Sequence, residues 1–316
     1  MGELPKTQMY AVRVIAQVCG EPVAVRPYTS WRSPSVVVGA RLASGDEVVL
    51  KASGHQSGRA EATTLRMAEA AGVPVPPVLD EGEDPRLPGG RWVLMRKARG
   101  RPWRLPTPNV RASARTQEDL GRIFARLHAC KLPGYGPLNE KGQGSYTRWS
   151  NWLCEALTKP LRFLCMGGHF DRELVTRVGR MFSRHAAMLD ARPGVLVHGD
   201  LGNMEIFVDR RNRVVDIVDF ADAVAGDPLY DFAHFVRGGP TDDPRSAAIL
   251  PGVRRSYVAH GGVEPDNWDQ LFWIYDVFNA VRNAEWCVRE SVPWLPGLRD
   301  KVVRLLDQLG GCRSPR

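Results

Sequence analysis

The chain has 316 residues, 43% of them hydrophobic and 25% charged, with a formal net charge of +8. That length supports a sizeable core and most naturally two lobes, and no apolar run approaches the ~20 residues that cross a bilayer. The opening MGELPKTQMY has no apolar stretch of the secretory kind, which points to the cytoplasm.

The six cysteines are scattered with no C-x-x-C pair, and the seven histidines show no metal-site spacing. The basic surplus alone would suggest nucleic acid. Its distribution argues otherwise, because residues 198–290 hold 16 Asp and Glu against 9 Arg and no Lys. No stripe of basic and aromatic residues is visible. The expected partners are small molecules, with no nucleic acid and no membrane.

In chain order, residues 9–25 fit a helix or a strand. VVVGARLASGDEVVLKA predicts a β-hairpin, with β-branched runs at 36–39 and 47–52 around the turn ASGD. RAEATTLRMAEAAG predicts a helix ended by Gly72. VPVPPVLDEGED is extended and constrained by proline, and GRWVLMR is an apolar strand. Strand, strand, helix, strand fits a small antiparallel sheet with one packed helix. Beyond Arg99 helices dominate, over 116–128, 149–164, 172–189, 246–260, 268–288 and 298–309. Thr116 with Asp119 resembles a capping box at the start of the first. The expectation is an α+β protein with an N-terminal lobe over 1–98 and a helical lobe over 99–316.

Two stretches carry chemistry. VLVHGD places Asp200 in a loop directly after a buried strand, where a carboxylate can orient and deprotonate a hydroxyl. VVDIVDF places Asp219 at the end of a second apolar run, expected to be the partner strand of the first in a hairpin-like return. A carboxylate there suits Mg²⁺, a hard cation that takes oxygen ligands. In VVLKA, Lys51 lies near a strand end and Glu61 in the first turns of the following helix, an arrangement that sets an ammonium on nucleotide phosphates. His198 is expected to be structural.

The stretch LVHGDLGNMEIFVD followed by VVDIVDFADAVAGDPLYDFAHF closely resembles the aminoglycoside phosphotransferase family, within the group that includes choline kinases and the protein-kinase-like fold. The resembling residues are His198, Gly199 and Asp200, then Asp219 and Phe220, then Gly226, Asp227, Pro228 and Asp231. Resemblance implies a two-lobed fold and transfer of a γ-phosphoryl from ATP or GTP. It implies Asp200 as base, Asp219 as Mg²⁺ ligand, Lys51 paired with Glu61 on the phosphates, and the backbone of Arg96, Lys97 and Ala98 at the adenine. The phosphate-covering segment RPYTSWRSPSV contains no glycine, so Ser30 and Ser33 are expected to supply hydroxyl and amide donors. Where the family has Asn five residues after the base, this chain has Glu205, expected to be a metal ligand. Asn203 is two positions out of register.

The expected reaction is phosphorylation of a hydroxyl on a cationic antibiotic, either an aminoglycoside or a basic peptide of the viomycin kind. Asp222, Asp231, Asp276, Glu285 and Glu290 are expected to bind that acceptor; for Asp231, as for Asp227, a structural role is the competing expectation. The alternatives are a metabolic kinase of a choline-like or sugar alcohol, and a pseudokinase.

Overall fold

The computed structural model describes residues 5–29, 34–54, 58–103 and 114–311. Ser30 and Ser33 lie outside the described residues. The chain forms two compact units. One comprises Met1–Trp103, Leu138–Gly142 and Glu205–Ala223; the other comprises Arg104–Pro137, Gln143–Met204 and Val224–Arg316. The return of 205–223 to the first unit has no counterpart in a division of the sequence at 98/99.

In the first unit, helix α1 (Lys6–Cys19) precedes strands β1 (Ala24–Tyr28), β2 (Ser35–Arg41) and β3 (Glu47–Ser53). Helix α2 (Gly58–Ala70) leads to β4 (Val78–Glu83) and β5 (Arg91–Arg96), and the five strands form an antiparallel sheet in the order β1-β2-β3-β5-β4. Residues 9–25 thus divide into the end of a helix and the start of a strand. The predicted hairpin is β2–β3, and its turn places Gly45 at φ 90°, a conformation glycine adopts without a Cβ penalty. Alternation then fixes the faces. Val36, Val38 and Ala40 of β2 and Val48, Leu50 and Ala52 of β3 are buried with Ala11, Val14 and Ile15 of α1. Lys51 therefore projects from the face opposite that cluster. A second sheet pairs β6 (Arg101–Pro102) with β10 (Ile206–Val208), and β10 with β11 (Val214–Ile217).

The second unit holds α3 (Ala114–Ala129), β7 (Tyr135–Leu138), β8 (Gly144–Tyr146), α4 (Trp149–Met166), α5 (Arg172–Arg184), α6 (Ala186–Leu189) and β9 (Val195–Val197). It continues with β12 (Val224–Gly226), α7 (Leu229–Phe235), α8 (Pro244–Ala259), α9 (Trp268–Arg289) and α10 (Leu295–Gly311). Strands β8, β7, β12 and β9 make a small sheet in that order. The core is aromatic, with Phe124, Trp149, Tyr230, Phe232, Tyr275 and Phe278 fully buried. Its polar tips are paired, as where Trp149 Nε1 donates to Tyr275 Oη at 3.0 Å.

Three expectations need correction. Strand β9 pairs with β12, and β11 pairs with β10, so the runs that deliver Asp200 and Asp219 are not partners. Three-residue strands carry too little pattern to reveal their pairing. Thr116 does not cap α3; it lies inside the helix and is buried. The span 172–189 is two helices, meeting at His185, whose Nδ1 bonds the Met181 carbonyl at 2.8 Å. Among the described residues no helix is long and apolar enough to cross a membrane.

Candidate active site

Within the first unit, Lys51 is the centre of a small charge cluster. Period-two alternation turns it away from the α1 face, and α2 presents Glu61 from its first turn. Lys51 Nζ lies 2.9 Å from Glu61 Oε1 and also contacts Asp219 Oδ1. Burial alone would lower the Lys51 pKa, but Glu61 and Asp219 outweigh it and push it up, so the ammonium stays charged. Burial pushes the Glu61 carboxyl up, and the fields of Asp219 and Asp222 add to that, while Lys51 opposes it. Asp219 follows β11 with φ 66° and ψ 58°, a left-handed conformation that aspartate tolerates better than most residues. Its side chain is 49% exposed.

The β10–β11 register carries Glu205 to the same end of that hairpin. Ile206 pairs with Ile217, and the Val218 N–H donates to the Glu205 carbonyl at 2.9 Å. Glu205 thus precedes β10 beside the point where the chain leaves β11 for Asp219. Asn203 belongs to the second unit, with its Nδ2 3.5 Å from Asp243 Oδ2. Among the described residues no three His, Cys, Asp or Glu side chains converge as a complete metal cage. The cluster nevertheless sets Glu61, Asp219 and Asp222 against one lysine. That donor set fits Mg²⁺, which uses one or two carboxylates and fills its shell with phosphate oxygens and water.

The end of β5 carries the segment expected at the adenine. The Arg96 N–H donates to the Pro77 carbonyl at 3.0 Å, and the Lys97 N–H to the Glu47 carbonyl at 2.9 Å. A reciprocal bond to the Arg96 carbonyl would have to come from residue 77, and proline has no N–H. Lys97 is spent, since its Nζ also lies 2.8 Å from Glu47. The Arg96 guanidinium turns to Asp46 at 2.9 Å.

In the second unit, β9 is buried throughout and delivers His198, Gly199 and Asp200. The carboxylate of Asp231, fully buried in α7, accepts from the His198 N–H at 3.0 Å and the Gly199 N–H at 2.9 Å. His128 Nε2 lies 3.2 Å from the same carboxylate, and His128 Nδ1 lies 3.3 Å from Tyr257 Oη. The Asp200 N–H donates to His198 Nδ1 at 3.3 Å, which makes that ring nitrogen an acceptor and the histidine structural, as expected. Asp200 itself is part-exposed, and Arg237 Nη2 sits 2.6 Å from its Oδ1. Arg237 was not foreseen. It follows α7 by two residues, and nothing in the local sequence distinguishes it from a surface arginine.

Residues 38–271 match the phosphotransferase enzyme family. The chain belongs to that family. Hygromycin-B 4-O-kinase of Escherichia coli is 26% identical over 172 residues, which is 52% of this chain and 48% of the relative. The match therefore spans about half the length of that curated relative. Among solved structures, a thermostable mutant of aminoglycoside phosphotransferase APH(4)-Ia in ternary complex with ADP and hygromycin B superposes with a TM-score of 0.72. It is 19% identical, with 96% of this chain and 99% of that one covered. A fructosamine-3-kinase homologue from Thermobifida fusca gives a TM-score of 0.67 at 19% identity, covering 94% and 98%. These likenesses establish the two-lobed protein-kinase-like fold.

Within this phosphotransferase, the acidic residues expected to bind the acceptor separate. Asp231 is fully buried and grips the loop before Asp200, so it cannot reach a substrate. Asp227 is buried too, paired with Arg192 and capping α7 through the Leu229 N–H at 2.8 Å. Asp276 is buried against Lys301 at 2.7 Å, and burial pushes its carboxyl up against that pull. Asp222 belongs to the first unit, in the electrostatic neighbourhood of Glu61. Glu285 pairs with Arg289 at 2.7 Å one turn on. Glu290 is exposed at the end of α9 and remains available.

Proposed function

We propose that this protein is a nucleoside-triphosphate-dependent kinase that phosphorylates a hydroxyl of an aminoglycoside-type antibiotic and so confers resistance in the cytoplasm. The observation that carries the reading is Asp200, a part-exposed carboxylate on a loop whose backbone the buried Asp231 fixes, in a chain of the phosphotransferase family. The hygromycin-kinase relative supports the choice of acceptor.

In this reading the first unit holds the nucleotide. The Arg96 carbonyl and the Ala98 N–H meet the adenine edge, and Lys51, steadied by Glu61, meets the phosphates. Asp219 and Glu205 hold Mg²⁺, which when bound offsets the charge of the phosphate oxygens. Asp200 receives the acceptor proton as the hydroxyl oxygen bonds to the γ-phosphorus and the bond to the bridging oxygen breaks. The nucleoside diphosphate leaves. The transition state is loose, so orientation and electrostatics do most of the work. Arg237 bonds Asp200 Oδ1 and acts as a positioning residue.

A second reading, a kinase of a glycated amine, is favoured by the likeness to the fructosamine-3-kinase homologue. The deciding experiment incubates the protein and Mg²⁺ with ATP or GTP and, separately, hygromycin B, viomycin, a fructosamine and choline. Mass spectrometry reads the gain of one phosphoryl group. Phosphorylated hygromycin B is the expected product. A product only from the fructosamine selects the second reading, and silence with every acceptor and both nucleotides overturns both.

A further inference from the structure

Helix α9 ends in an aromatic pair that the mechanism above leaves unused. Trp286 is 41% exposed and Trp294, just before α10, is 43% exposed; their ring centroids lie 6.2 Å apart with the planes at 50°. The pair is joined to the loop that holds the proposed base. Asn283 Nδ2, less than one turn before Trp286, donates to the Gly238 carbonyl at 3.2 Å. The Trp294 ring packs so closely on Gly239 that a Cβ there would lie 2.9 Å from it. Gly239 follows Arg237 by two residues, at most ~7 Å of chain, and Arg237 is the residue paired with Asp200 at 2.6 Å. Glu290 is four residues after Trp286, so both lie on one helix face.

We propose that Trp286, Trp294 and Glu290 form an acceptor platform that receives an amino-sugar ring; this rests on the phosphotransferase reading. A pyranose ring has an apolar C–H face and a polar edge. Indole faces carry negative charge density that attracts polarised C–H groups and ammonium ions. The two indoles, with centroids 6.2 Å apart, pack against each other and together offer more aromatic surface than either alone. The Glu290 carboxylate then pairs with an ammonium at the ring edge. Glu285 is turned away, held by Arg289, whose guanidinium lies over Phe163 at 4.4 Å.

The test is titration of the full chain with hygromycin B, and separately with a fructosamine, in the absence of nucleotide. Indole fluorescence and calorimetry are the readouts. At least one of the two saccharides quenches the wild-type fluorescence. The double variant Trp286→Ala, Trp294→Ala weakens binding at least tenfold and loses the quench, whereas Trp286→Phe with Trp294→Phe retains most of the affinity. Glu290→Gln weakens binding several-fold with the quench retained. Unchanged binding of a fluorescent ADP analogue to the double variant verifies that the fold is intact. Equal saccharide affinity in the double variant and the wild type overturns the platform, as does failure of both saccharides to bind the wild type. Failure of the phosphotransferase reading shows separately, as absence of binding of the ADP analogue to the wild type or as absence of a phosphorylated product from every acceptor.

Discussion

In the first unit, Asp219 is held by a side chain, the Lys51 ammonium, and half of its own surface stays exposed. In the second, Asp200 stands on a loop whose preceding N–H groups are gripped by the buried Asp231, itself backed by His128 and Tyr257. A part-exposed carboxylate paired with a side-chain ammonium can exchange that partner for a cation. A loop pinned through its backbone cannot rearrange without leaving buried N–H groups unpaired. The contrast matches the two proposed tasks, since charges that meet a ligand must be exchangeable and a base must already be in place before the hydroxyl arrives.

The sharpest way to break this contrast is to remove the grip. Asp231→Ala leaves the His198 and Gly199 N–H groups without their acceptor, each at about 1–3 kcal/mol. A loss of about 3 kcal/mol is expected in denaturant unfolding, and turnover falls with it because the Asp200 loop is no longer fixed. Asp231→Asn keeps one acceptor oxygen and should lose less. Asp200→Asn is the complementary case. Stability and nucleotide affinity are expected to hold while turnover falls at least ~10²-fold, the lower range for a positioned base. Near wild-type turnover in that variant would show that the base lies elsewhere.

Protonation separates the units further. His234 in α7 is fully buried, and burial, with Arg237 and Arg282 nearby, holds its pKa well below 6.5. The unfolded chain then binds a proton that the folded chain refuses. The contribution of this group is fully present above the unfolded value and is lost as pH falls below ~6.5, by up to ~1.4 kcal/mol per unit. Replacing it, as in His234→Asn, should flatten the decline in melting temperature between pH 7 and pH 5, and an unchanged slope would contradict the assignment. Arg237→Met is expected to cost about tenfold in turnover, because Asp200 loses the guanidinium that orients its carboxylate. Nucleotide KM should not move.

Much of this was legible before any coordinates. The apolar run VVLKA placed Lys51 near the end of a strand, and the helix after it carried Glu61 in its first turns. Less legible were features that depend on contacts distant in sequence. The return of residues 205–223 to the first unit rests on contacts distant in sequence, among them the pairing of β10 with the two-residue β6, the Ile217 N–H bond to the Pro74 carbonyl and the Arg99–Asp216 pair. Asp231 and Asp276 read as candidate acceptor ligands because charge alone does not reveal burial; their partners, His128 and Lys301, are 103 and 25 positions away. Arg237 was invisible for the same reason.

The substitution with the smallest expected effect, and the one that sharpens the comparison most, is Glu205→Asn. The hairpin register sets Glu205 beside the exit to Asp219, while Asn203 is turned to Asp243 in the other unit. The choice between them as metal ligand is therefore a choice between units, and the register favours Glu205. A carboxylate there adds charge near Asp219. At ~5 Å and an effective dielectric of ~20, one such pair repels by roughly 3 kcal/mol, and a bound cation offsets that. The protein should accordingly depend more steeply on Mg²⁺ than its Glu205→Asn variant. Titrating Mg²⁺ against turnover checks this. Glu205→Asn keeps activity within a few-fold and changes the half-saturating Mg²⁺ concentration, Glu205→Ala loses activity, and Asn203→Ala changes little. A large gain of activity in Glu205→Asn would instead mark the glutamate as an impairment, and loss confined to Asn203→Ala would move the ligand to the second unit.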